Sequence, residues 1–394
     1  MFRIVLTGSV RKSMKQAFAR IQRVVQRKAL NACSEQIENI VCQHHDVRHV
    51  LVFAPSLKWD FELFQRPQQL AIALARQGVL VFYMEPHVTQ SYKIIPMENH
   101  LYRCEVPSEA FERVSAPLVY ILCWNTEYLK GFTAPRLIYD YIDELTVFAG
   151  DQKEIALNHG ELLVSASLTI ATADRLYRDA VRVRPDCLFC PNGVAYDHFA
   201  RSRERRAVLP PEPLLPVVAA GKPIIGYYGA LACWFDYDLL KAVAVQREDL
   251  SFVLIGPNYD NSFPRSGLSQ LSNVTWLGVQ PYSDLPDFLS YFDVATIPFL
   301  VNDITHSTSP LKLFEYMAGG KPVVATAMHE TMRYEGVLVA NGAAEFSSKL
   351  DEALRLATDP QYLAVIDRVA RENTWNTRAV SILQALDAGR KTKR

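Results

Sequence analysis

The chain has 394 residues, 49% of them hydrophobic, with 42 Lys plus Arg balanced by 42 Asp plus Glu. That length predicts two domains with ordinary cores, and a formal net charge of zero leaves no electrostatic footprint for nucleic acid. No apolar run approaches the ~18 residues of a membrane span, the stretch Met1–Thr7 reads as too short for a secretory signal, and seven scattered cysteines fit a reducing cytoplasm.

Residues 1–34 hold eight Lys or Arg and no acid. Met14, Phe18, Ile21 and Val25 recur at helical spacing, with Lys15, Arg20, Arg23 and Arg27 largely elsewhere around the helix. Residues 1–45 therefore read as a basic amphipathic arm. Residues 10–30 suit the headgroup region of an anionic membrane, which would make the protein peripheral on the inner face of the plasma membrane. A solvated extension, or a helix docked on its own protein, is the plainer alternative.

From His49 the pattern becomes alternating strands and helices. Val50–Ala54, Val79–Tyr83, Leu118–Leu122, Leu137–Tyr139, Leu168–Ala171 and Cys187–Phe189 read as strands. The rhythm predicts an α/β domain over residues 46–205 with a mainly parallel, doubly wound sheet. Cys187 and Cys190 form a lone C-x-x-C on the last of these strands. Successive side chains there face opposite ways, so buried structural cysteines are expected rather than a metal site. The stretch from Arg201 to Lys222 breaks the rhythm, and its Pro-rich part marks residues 206–222 as the linker. A second α/β domain is expected over residues 223–372, with strands at Pro223–Tyr228, Ser251–Ile255, Val274–Leu277, Val294–Ile297 and Pro322–Ala325. Residues 373–394 form a terminal helix and basic tail.

The densest chemical signal is Ser309–Ala325. Ser309 can cap a helix, Pro310 fits its first turn, and Gly319-Gly320 stops it after Ala318. A helix N-terminus suits a phosphate. Lys312 and Glu315 share one face, three residues apart. One can meet an anion and the other can accept two hydrogen bonds from a sugar diol. Together they point to a nucleotide-sugar site.

This segment resembles the donor-binding signature of retaining glycosyltransferases of family 4. Pro191-Asn192-Gly193-Val194 followed by Phe199 resembles that family's hinge-side signature. Gln65–Leu70 and Tyr139–Leu145 resemble a subgroup that builds bacterial cell-surface polysaccharides, including teichuronic-acid-type enzymes. The resemblance implies the GT-B fold: two Rossmann-like domains facing a cleft, with a C-terminal helix crossing back onto the first. It implies a nucleotide diphosphate sugar as co-substrate, retention of anomeric configuration, and neither cofactor nor metal. Glu315 would bind the ribose of the donor. The family's first Glu, eight positions earlier, is replaced here by Ser307, which cannot supply a carboxylate. Asp303, or the backbone N–H groups of Ser309 to Leu311, could take over part of that role.

In such sheets ligands bind beyond the carboxyl ends of the strands. Gly229 lies there and lets the backbone approach a diphosphate, or simply makes a tight turn. By resemblance, the base would sit at Gly278 and Val279, with Tyr282 either stacking on it or only packing. Lys312 would counter the diphosphate charge or merely balance Glu315. On the opposite wall, Asp140, Asp143 and Glu144 follow a strand. Asp143 is the candidate acceptor-side base, with Asp140 beside it; its plain role would be a helix cap. Arg66 would meet a phosphate or make a structural ion pair, and Trp59 and Asp60 would line the acceptor site. The expected function is transfer of a sugar to a carbohydrate or lipid-linked acceptor. The rivals are a nucleotide-sugar epimerase of the same fold, a degenerate sugar-nucleotide-binding partner and, with least support, a dehydrogenase, because no G-x-G-x-x-G follows either first strand.

Overall fold

The computed structural model describes residues 8–86, 92–204 and 209–391, with side chains described from Val24 to Gly389 within those spans. Two sheets carry the fold. The first contains β1 (Val50–Phe53), β2 (Leu80–Met84), β3 (Lys93–Glu98), β4 (Leu101–Glu105), β5 (Leu118–Ile121), β6 (Arg136–Tyr141), β7 (Leu168–Ala171) and β8 (Leu188–Phe189). The second contains β9 (Ile224–Tyr228), β10 (Ser251–Ile255), β11 (Val274–Trp276), β12 (Val294–Ile297), β13 (Val323–Thr326) and β14 (Val337–Ala340). The first sheet runs β3-β4-β2-β1-β5-β6-β7-β8 and the second β11-β10-β9-β12-β13-β14. Among the strands of the described residues, only β3 and β4 pair antiparallel. Parallel strands covered on both faces read as unbroken apolar runs, and β2, β9 and β10 are buried at every residue.

The three strands that the sequence reading omits are β3, β4 and β14. β3 is an edge strand with mostly half-buried and exposed residues, and it holds Pro96 beside a register shift. Pro is tolerated there because one edge needs no partner. β14 is only four residues long and alternates in burial.

The basic arm continues into the first domain as one helix, Gly8–Gln43. Cys33, Ile37 and Ile40, spaced four and three apart, are buried in the core beneath the first sheet. Arg113 pairs with Glu35 and Glu38 on the outer side. Val24 and Val25 are 52% and 59% exposed, so this part of the helix stands clear of the fold. The side chains of Met14, Phe18 and Ile21 lie outside the described residues.

The chain returns to the first domain at its other end. The helix Pro360–Glu372 belongs to the second domain, and Asn373-Thr374 separates it from the helix Trp375–Lys391. At this break Val194 N donates to Asn373 O and Trp375 N to Val194 O, at 3.0 and 3.2 Å. Gly193 makes that approach possible, because a Cβ there would meet Thr374 C at 2.9 Å. Trp375, Ala379, Ile382 and Leu386 then bury one helical face in the same cluster as Leu70 and Leu74 of the helix Arg66–Arg76. This is the expected crossing helix. Among the described residues, no helix is long and apolar enough to cross a membrane.

Candidate donor and catalytic cleft

The helix Leu311–Ala318 is the centre of the second domain's ligand face. It begins with Pro310 at the cap position, and no side chain caps it. Ser309, expected to be the cap, has its Oγ turned to accept from Asn192 N of the first domain at 3.2 Å. A charged side chain at the other end completes the helix. Arg203 Nε donates to Ala318 O at 2.7 Å and Nη2 to Met317 O at 3.1 Å. A cation on the last carbonyls suits the helix dipole. Arg203 sits in a linker-like stretch, so its partner could not be read from sequence.

Three glycines form the floor beside this helix. Gly229, Gly256 and Gly278 follow β9, β10 and β11 with φ of +140°, +133° and +66°. Gly229 N donates to Ile255 O and Gly256 N to Gly278 O, at 2.9 and 2.7 Å. A Cβ on Gly256 would meet Gly229 O at 2.0 Å, and one on Gly229 would meet Lys312 Cε at 2.7 Å. The backbone must be bare here for the strand ends to mesh and for Lys312 to lie over them. The sequence reading leaves out Gly256, whose signal is a Gly directly after the buried run Ser251–Ile255.

Lys312 and Glu315 face this floor. Lys312 is half-buried, and its Nζ lies 4.9 Å from the Phe299 ring centre and 5.4 Å from that of Tyr227. Burial pushes its ammonium down to about 8, with Glu315 acting against the shift. Glu315 is 2% exposed. Burial pushes its carboxyl up to about 8, with Lys312 opposing. Its Oε1 and the Tyr228 hydroxyl are both buried and interact with each other, and neither meets another protein partner in good hydrogen-bond geometry. A buried carboxylate oxygen short of donors is costly. A ligand diol would satisfy it.

Between the domains lies a cleft of about 560 Å³. Gly229, Val279, Tyr282, Ser309, Leu311, Lys312 and Glu315 line it from the second domain, and Arg66 and Asp143 from the first. Val279 is 41% exposed. The Tyr282 ring is already engaged: it stacks on His198 at 4.7 Å and lies 5.1 Å from Phe64. Its hydroxyl accepts from Gln69 Nε2 at 2.7 Å, a bond between domains. Gly278 sits one layer back as the acceptor for Gly256.

Asp143 follows β6 and is half-buried. Burial pushes its carboxyl up to about 7, with Glu144 and Asp140 adding to the shift. A carboxyl poised there can take or give a proton at neutral pH. Asp140 is different: 1% exposed, it holds the Arg66 guanidinium through two bonds, at 2.6 and 3.1 Å. Tyr120 also donates to it. Although burial works against the cation, Asp140 holds Arg66 above its usual range. Arg66 Nη1 donates to Pro191 O and Asn192 Oδ1, at 3.2 and 3.3 Å. The pair thus fixes the chain that meets Ser309, and the structural alternative raised for Arg66 is the arrangement present.

The remaining candidates lie off the cleft wall. Trp59 packs against Tyr83 and Phe64, with ring centres 5.1 and 5.8 Å away, and its backbone N–H donates to Glu85 Oε1 at 3.2 Å. Asp60 is exposed. Their neighbours Phe61 to Pro67 line the cleft instead. Ser307 is fully buried, and its Oγ donates to Glu144 of the first domain at 2.5 Å. Asp303 is 86% exposed and pairs with Arg175 at 2.7 Å. Among the described residues, no group of three or more His, Cys, Asp or Glu side chains converges as a metal site would require.

Comparisons with known proteins agree with this geometry. Residues 222–356 match the family model described as glycosyl transferases group 1. TuaH of Bacillus subtilis strain 168, described as a teichuronic acid biosynthesis glycosyltransferase, is 27% identical over 195 residues, 47% of this chain. The alignment takes in 47% of TuaH, so the chain spans about half the length of the curated relative it matches. Sucrose-phosphate synthase of Thermosynechococcus elongatus superposes with a TM-score of 0.63 at 18% identity, over 86% of this chain and 98% of its own. Anabaena HepE, solved in complex with UDP-glucose, gives 0.57 at 15% identity, over 86% and 99%. At these identities the likeness is one of fold. Residues 222–356 are accordingly a glycosyl transferases group 1 domain, carried in a chain of the GT-B fold.

Proposed function

We propose that the protein is a glycosyltransferase. It moves a sugar from a nucleoside diphosphate sugar to a hydroxyl of a carbohydrate or lipid-linked acceptor in cell-surface polysaccharide or glycolipid synthesis. The observation that carries the reading is the buried Glu315 carboxyl, with the Tyr228 hydroxyl as the one protein group beside its Oε1, next to Lys312 at the start of a helix and above a bare glycine floor. The ribose hydroxyls donate to Glu315. The diphosphate lies over Gly229, where Lys312 and the helix N-terminus oppose its charge. As the glycosidic bond breaks, charge grows on the leaving phosphate, and those same groups stabilise it. The reading requires no metal or cofactor, and it carries retention of configuration over from the resemblance.

The acceptor enters from the first domain, where Asp143 takes the proton of the attacking hydroxyl. The wall around Asp143 is apolar, with Phe61, Leu122, Trp124, Ile142, Val147 and Phe148 lining it. Such a wall suits an acceptor with an apolar part near its reacting end. The basic helix bears on the same point. Val24, Val25, Arg27 and Lys28 are all exposed, so residues 10–30 can lie on an anionic bilayer and hold the protein at the cytoplasmic face of the membrane.

The first test is a thermal-shift screen with UDP, ADP, GDP and dTDP and their sugars. A ligand bound only by the folded state raises the melting temperature. A shift with one nucleotide series supports the reading, and no shift with any series rejects it.

A further inference from the structure

Glu144 follows Asp143 in the loop after β6, and its carboxylate reaches the other domain. It accepts from Ser307 Oγ at 2.5 Å, where Ser307 is 0% exposed. Ser307 closes the single helical turn Asp303–His306. Arg175, from the helix Asp174–Ala180, lies 3.5 Å from Glu144 Oε1 and donates to Asp303 Oδ1 at 2.7 Å. Further on, Asn192 Nδ2 donates to Ser309 O at 2.8 Å. Residues 303–309 belong to the second domain by sequence, yet the first domain grips them at both ends and at the middle.

This segment forms part of the donor wall. Ile304, Thr305, Thr308 and Ser309 line the cleft, and the next helix bears Lys312 and Glu315. One helical turn is too short to hold itself in place. Within the turn it has backbone bonds, the capping pair between Asn302 and Thr305, and bonds from Ser307 Oγ to Asp303 O and from Thr308 Oγ1 to Ile304 O; its own domain adds Thr305 Oγ1 donating to Leu300 O and His329 N donating to His306 Nδ1. Its own domain thus holds it at Thr305 and His306, and its seat against the cleft depends also on its first-domain partners. Among these, the Arg175–Asp303 pair is exposed and weak, with Asp303 86% exposed. The bond from a fully buried hydroxyl to a carboxylate is the stronger kind.

We propose that Glu144 is a cross-domain positioning residue that seats the segment 303–309, and with it the donor wall, when the two domains close on each other. The meaning of a seated donor wall rests on the glycosyltransferase reading; the tether does not. Because Glu144 adjoins Asp143, the same closure presents the Asp143 carboxyl to the cleft. Donor seating and acceptor-side chemistry are thus coupled through two consecutive residues.

The test uses the full chain. Hydrogen exchange without ligand should show amides 303–309 exchanging at least about tenfold faster in Glu144→Leu, because an opening about 1.4 kcal/mol easier is a factor of ten. Glu144→Gln keeps an oxygen that Ser307 can donate to, and should stay within about threefold of the parent. Ser307→Ala should match Glu144→Leu, and the double variant should add nothing, as expected for two halves of one interaction. Unchanged exchange in Glu144→Leu, or an increase spread evenly over β9 to β14, overturns the proposal. Calorimetry with UDP-glucose supplies the functional arm. Affinity lost in Glu144→Leu and kept in Glu144→Gln supports the positioning role, and equal affinity in all three overturns it. If exchange responds as stated while the parent binds neither UDP nor UDP-glucose, the tether stands and the uridine donor is what fails.

Discussion

Glu315 and Asp143 are both carboxyls whose burial raises them above their ordinary range, to about 8 and about 7, but they face different chemistry. Glu315 has a buried oxygen with only the Tyr228 hydroxyl beside it. Ribose hydroxyls donating to Glu315 favour its ionised form, and charge-assisted hydrogen bonds contribute about 1.5–3 kcal/mol each, so Glu315→Ala should weaken donor binding by about tenfold or more, read by calorimetry. Asp143→Asn should leave donor affinity nearly intact and cut turnover by roughly a hundredfold. As a base, Asp143 works deprotonated, so turnover should rise with pH through about 7, and the asparagine variant should lose that limb. Stability should move the other way. The folded state holds the Asp143 proton from the ordinary 3.8 up to about 7, so the native chain binds more protons than the unfolded one over that window. Stability therefore falls as pH rises from about 4 to about 7, and denaturant unfolding of Asp143→Asn should show a shallower decline. Glu315 could be read from local context, because its helix, its glycine stop and its Lys312 neighbour are contiguous in sequence. The partners of Asp140 and Ser307 could not, because Arg66 lies 74 positions and Glu144 163 positions away, and nothing local records such pairings.

At the level of elements, the buried strands were legible because parallel strands covered on both faces are written as apolar runs. β3 and β4 were not, since an edge pair with Pro96 and few fully buried residues carries no such signature. The N-terminal helix was legible as a helix, but its division of labour was not. Its basic part and its docked part share one periodicity, and only the surface that Cys33, Ile37 and Ile40 meet separates them. Two predictions follow from that division. Ile37, 0% exposed, should cost about 2–5 kcal/mol when changed to Ala, read by denaturant unfolding. Reversing Arg20, Arg23 and Arg27 to Glu in the full chain should abolish salt-sensitive sedimentation with anionic vesicles while leaving that unfolding midpoint nearly unchanged. Vesicle binding that survives the reversal would remove the arm as the anchor.

Across the whole molecule, the two sheets meet through few continuous elements and many specific side-chain bonds. The crossing helix Trp375–Lys391, the Gln69–Tyr282 bond and the Asn192–Ser309 bonds all join the domains near the cleft. The two-domain plan was legible from strand rhythm, whereas the Pro-rich stretch expected as a linker turns helical over Glu212–Leu214 and Leu215–Ala219 and packs Leu214 and Val217 into the second core, and the closed arrangement depends on contacts no rhythm encodes. The account rests on one claim above the others: Glu315 and Lys312 hold a nucleoside diphosphate sugar in this cleft. Calorimetric titration of the parent chain and of Glu315→Ala with UDP-, ADP-, GDP- and dTDP-glucose tests it most directly. The account predicts that one series binds the parent and loses about tenfold or more in the variant. Equal affinity of the two folded proteins for the series that binds, or binding to neither, would contradict it.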